Sequence, residues 1–112
     1  MRLILPFVVL AVPAFADAPV VEGVSVNGAI FSVTLSHPDT GGDHYANGWE
    51  VLDADGNSLG FRELFHPHET EQPFTRSLSD VQLPDSATVV YVRARCNVDG
   101  WSDALFEVAL PR

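Results

Sequence analysis

From residue 19 onward, apolar and polar residues alternate in short runs with a period of two, and Gly, Pro, Asn and Asp separate the runs. No stretch carries the 3.6-residue period of an amphipathic helix. The pattern predicts seven strands, at 19–26, 29–36, 47–53, 58–65, 74–82, 88–96 and 104–110. Asn27-Gly28 is a tight-turn signal between the first two. Asp53-Ala54-Asp55-Gly56-Asn57 closes a hairpin between the third and fourth, and Pro84-Asp85 breaks the chain before the sixth. The acidic turn resembles the start of a calcium loop but lacks that loop's closing glutamate, which leaves the hairpin reading. Short strands at this spacing form an all-β sandwich.

The alternation also assigns faces. Phe31, Val33 and Leu35 share one face of the second strand, and the next position on it is His37. Val90, Val92 and Ala94 share one face of the sixth strand, and the next position on it is Cys96. Trp49 and Val51 face inward from the third. In a seven-stranded sandwich of immunoglobulin or fibronectin type III topology, the loops after strands two, four and six meet at one pole. Those loops are 37–46, 66–73 and 97–103. They hold His37 and His44, His66 and His68, and Asp99, and the third follows Cys96. All four histidines and the one cysteine are therefore expected at one pole.

The first residues read differently. Arg2, the apolar run Leu3 to Val12 and the small-x-small triplet Ala14-Phe15-Ala16 fit a cleaved signal peptide over residues 1–16, leaving 17–112 as a single exported domain. The expected location is periplasmic or secreted. No later apolar run is long enough to cross a membrane as a helix. Six basic residues, all arginine, face fifteen acidic ones for a net charge of −9, and losing Arg2 makes the balance more negative. Such a chain is a poor ligand for nucleic acid or anionic lipid. No G-x-S-x-G turn is present to carry a hydrolase nucleophile.

With one cysteine, no internal disulfide can form. A lone thiol in an oxidising compartment is buried, paired with another chain, or bound to a metal. Imidazole and thiolate together suit zinc, copper or iron. His37, His44, His66, His68 and Cys96 acting together would make a five-coordinate site with one open position, whereas structural zinc takes four ligands.

Two tracts resemble known families. HPDTGGDHYANGWEV (37–51) and ARCNVDGW (94–101) resemble the two ligand motifs of superoxide reductase, the desulfoferrodoxin iron-binding domain, itself an immunoglobulin-like sandwich. The resemblance spans about residues 33–101 and implies ferrous iron held by equatorial histidines, His37 and His44 among them, with Cys96 as axial thiolate and reduction of superoxide at the open position. The chain departs from the family in having Asp99 three residues after the cysteine where the family has histidine, no histidine before His37, and no lysine. His66 and His68 stand as replacements for the missing pair. The tract YVRARCNVDGWSDA (91–104) also resembles the sixth-to-seventh-strand tract of fibronectin type III domains, in which Cys96 and Asp99 have no chemical role. The expectations that follow are an exported, mononuclear iron domain similar to superoxide reductase, a copper carrier or sensor on the same ligands, or a metal-free module binding protein or glycan.

Overall fold

The computed structural model describes residues 18–112. The expected signal peptide, residues 1–16, lies outside them. Eight strands form: β1 Val20–Asn27, β2 Ile30–Ser36, β3 Ala46–Leu52, β4 Ser58–Glu63, β5 Phe74–Leu78, β6 Val89–Cys96, β7 Gly100–Trp101 and β8 Phe106–Ala109. Among the described residues there is no helix. The strands build two antiparallel sheets, β1-β2-β5 and β4-β3-β6-β7, with β8 also paired to β6. This is the expected sandwich. The expected seventh strand, 104–110, is present as β8, and the eighth element, β7, is a two-residue strand inside the expected 97–103 loop, separated from β8 by residues 102–105.

The predicted alternation forms the core. Phe31, Val33 and Leu35 from β2, Trp49 and Val51 from β3, and Val90, Val92 and Ala94 from β6 are all at most 1% exposed. Two same-period apolar faces pack against each other and leave the intervening polar residues outside. The fifth strand is shorter than the pattern predicts. Asp80 takes a left-handed backbone (φ 60°), which ends the extended run, and Val81 then turns inward to 3% exposure. The Val81 amide bonds Ala29 and the Gln82 amide bonds Leu59, so this segment closes the end of the sandwich by tying both sheets. At that same end Asp53 accepts from the amides of Asp55 and Asn57 and from the Asn57 side chain. These bonds, chiefly from Asn57, hold the Asp53 carboxyl below its usual range. Its acceptors are used by its own hairpin turn.

On the outer face of the larger sheet, Arg93 lies over Trp101 at 4.2 Å and bonds Glu50, while Arg95 lies over Phe61 at 4.6 Å. Trp101 thereby anchors the two-residue β7 onto β6, which fixes the turn after Cys96. Gly48 lets this layer sit close: a Cβ there would stand 2.8 Å from the Phe61 ring and 3.1 Å from Arg95 Nε. Gly48→Ala is expected to cost about 1–3 kcal/mol through overpacking. A denaturant midpoint equal to that of the parent protein would refute this account of the face.

Candidate metal centre

The loops 37–45, 64–73 and 97–99 gather at the pole where β2, β4 and β6 end. His37 continues the inward face of β2 and is 3% exposed. Its amide bonds Gln72 Oε1 at 2.9 Å, which ties it to the 64–73 loop. After Pro38, Asp39 folds back, so that His37 Nδ1 lies 2.6 Å from Asp39 Oδ1. His44 is presented by a tight turn: its amide bonds the Gly41 carbonyl at 3.2 Å, and Thr40 bonds the His44 carbonyl at 2.9 Å. Gly41 has φ 124°, a conformation that a side chain rarely adopts, so the first glycine of the Gly-Gly pair makes this turn possible.

Cys96 ends the inward face of β6 and is 1% exposed. A β-bulge between Ala46 and Gly48 sets Ala46 opposite Cys96, which brings the end of the histidine loop over the thiol. Asn97 then locks the two loops. Its carboxamide oxygen accepts from the Tyr45 amide at 2.8 Å, and its carboxamide nitrogen donates to the Gly42 carbonyl at 3.0 Å.

The result is a cluster of three donors. His37, His44 and Cys96 each offer one ligand atom, and all three atoms lie within 4.8 Å of one another. Cys96 Sγ is 3.7 Å from His44 Nε2, and the two imidazole rings meet edge to face at 4.7 Å. Metal–nitrogen and metal–sulfur bonds of about 2.1 and 2.3 Å place ligand atoms roughly 3.4–3.8 Å apart around one ion. The 3.7 Å pair already fits, and a small closure of the remaining distances would complete the set. The Asp99 amide donates to Cys96 Sγ at 3.2 Å, which fixes the position of the sulfur at the mouth of the third loop. The Asp99 carboxylate lies 3.9 Å from the same sulfur.

His66 and His68 share this pole but do not join the cluster. His66 is exposed. His68 stacks on Phe74 at 3.9 Å, and its Nε2 faces Arg76 at 2.9 Å. Its second nitrogen lies 4.0 Å from Asp39 Oδ2. The lone pair that would ligate an ion is directed to the guanidinium. Arg76 also bonds Glu71 at 3.1 Å. The four-histidine, one-cysteine set implied by the superoxide reductase resemblance is thus not brought to one point among the described residues. Three residues that the sequence pattern did not single out, Asp39, Gln72 and Asn97, hold the three-donor arrangement together. Asn97 follows the cysteine within the quoted motif, but its double bond to the histidine loop is visible only in three dimensions.

Burial, and then Arg76, push the His68 pKa below its usual 6.5. The unfolded chain therefore binds this proton more readily, and stability rises with pH in that window. His68's contribution is complete above about pH 6.5 and is lost as pH falls through the depressed folded value. Denaturant midpoints measured downward from pH 7.5 should fall more steeply for the parent than for His68→Gln, whose amide can still accept from Arg76. Parallel curves for the two proteins would contradict the inference.

No family model matches the chain, and no solved structure matches it. A presumed lipoprotein of Halomicrobium mukohataei is 46% identical over 71 residues, 63% of this chain. The chain spans about a third of that relative's length, 34%.

Proposed function

We propose that this is an exported domain of the cell envelope that holds one soft transition-metal ion, copper before zinc, on His37, His44 and Cys96. The observation that carries the reading is the convergence of two imidazoles and a buried thiol within 4.8 Å of one another. Thiolate with two imidazoles is the donor set of trigonal copper sites, and zinc takes the same donors with a fourth ligand. Ligation would also keep the one cysteine from mispairing in an oxidising compartment. Export is supported by the leader-like first residues and by the presumed lipoprotein among its relatives; a periplasmic or secreted location is the finer form of the same proposal. A second reading, ferrous iron and superoxide reduction, is favoured by the His37-Pro38, His44-Tyr45 and Cys96-Asn97 motifs. It requires two further imidazoles to move from where His66 and His68 lie.

Metal analysis of protein purified from its native compartment, with a visible spectrum, tests both. About one equivalent of copper with a thiolate-to-copper charge-transfer band is the expected result. Iron with a thiolate-to-ferric band would support the second reading. Protein that arrives metal-free and takes up neither copper, zinc nor iron would overturn both, in favour of a fibronectin-like binding module.

A further inference from the structure

We infer that Asp39 is the positioning residue of this centre: it holds His37 in the tautomer with hydrogen on Nδ1 and so leaves the Nε2 lone pair for an ion. The purpose of this arrangement rests on the metal-binding reading above; its geometry does not. The side chains of His37 and Asp39 are both fully buried. Asp39 Oδ1 accepts from His37 Nδ1–H at 2.6 Å and from the Ala46 amide at 3.0 Å. Asp39 Oδ2 accepts from the His68 amide at 2.7 Å. One carboxylate therefore joins the end of β2, the start of β3 and the 64–73 loop.

An ionised carboxylate can only accept, so a nitrogen 2.6 Å from it carries hydrogen, and the other nitrogen of a neutral imidazole is then bare. That nitrogen, His37 Nε2, is buried and has no hydrogen-bond partner. A buried acceptor without a partner is costly, and a cation between it, His44 and Cys96 would satisfy it. A carboxylate behind a ligand histidine fixes the ring's tautomer and raises its basicity, and losing such a partner commonly weakens metal binding 10–100-fold. A loop staple alone would need only the two amide bonds, not the contact to Nδ1.

The test has two readouts. In the metal-free full chain, ¹⁵N NMR of the imidazoles should show His37 with hydrogen on Nδ1. In Asp39→Asn one oxygen must serve three donors; at the Oδ1 position it still accepts from the Ala46 amide and Nδ1–H, but as a neutral amide it is a weaker acceptor than the carboxylate and holds hydrogen on Nδ1 less firmly. That variant should show a larger share of hydrogen on Nε2, unchanged circular dichroism and zinc affinity about 10–100-fold weaker than the parent. Hydrogen on Nε2 in the parent would overturn the inference. So would an Asp39→Asn protein with the parent's tautomer populations, or with parental zinc affinity. If Asp39→Asn does not fold, the parent's tautomer decides by itself. A parent that binds no zinc or copper but carries the Nδ1–H tautomer removes the metal reading and leaves Asp39's hold on His37 standing.

Discussion

Cys96→Ser is expected to abolish the thiolate charge-transfer band and weaken copper binding by more than about 100-fold, beyond the range set by losing one supporting bond. The sulfur is the softest donor in the cluster, and no other thiol exists in the chain to replace it. The fold should survive. Sulfur-to-oxygen is a small change in volume, the Asp99 amide that bonds Sγ at 3.2 Å can bond the hydroxyl instead, and the stability cost is on the order of 1 kcal/mol. His44→Ala should weaken the band without removing it, because His37 and the thiolate remain. Asp55→Ala, in the hairpin turn at the opposite end, should leave it alone. Equal copper affinity in Cys96→Ser and the parent would show that the thiolate is not a ligand.

Trp49→Ala is expected to cost about 3–5 kcal/mol, the range for deleting a large aromatic from a packed core. Trp49 is the largest of the fully buried side chains, at 0% exposure, and stands opposite Ala94 on β6 and Arg62 on β4. Domains of this size have total stabilities of about 5–15 kcal/mol, so the variant should lose a third or more of its stability across most of that range. The damage should reach the pole, since the β3–β6 ladder that contains Trp49 also sets Ala46 opposite Cys96. Trp49→Phe should lose less. Guanidinium unfolding curves for the three proteins rank them, and a Trp49→Ala midpoint close to the parent's would deny Trp49 its place at the centre of the core.

The alternation of Phe31, Val33 and Leu35 made the inward aim of His37 legible, and Val90, Val92 and Ala94 did the same for Cys96. Period-two reading stops where a strand stops. His44 sits in a turn, so its distance from Cys96 depends on Gly41's backbone, the bulge before Gly48 and the Asn97 bonds, none of which the pattern encodes. His66 and His68 lie at the pole that loop order predicts. What sequence could not tell is where the His68 ring points. That is decided by Phe74 and Arg76, partners in the next strand whose pull on the ring depends on side-chain geometry. The one cysteine and the histidine loop were conspicuous by residue type. Asp39 was not, because one aspartate among many acidic residues looks solvated until its burial is known. The two-residue β7 was equally hidden, since Gly100 and Trp101 are too short a run to show a period and read as part of the 97–103 loop.

The shortness of β7 and β8 bears on how that edge of the domain meets other chains. An unpaired strand edge is a template for a second chain, and long flat edges seed aggregation. The larger sheet ends on one side in β7 and β8, two residues and four, with a gap containing Asp103 between them. The smaller sheet ends on one side in β1, whose register shifts between Val21 and Gly23. Neither border offers a neighbour a straight, unbroken row of amides and carbonyls. At these two borders pairing with another copy is opposed by backbone geometry, and mutual repulsion from the net charge of −9 opposes it at the continuous edges β4 and β5 as well.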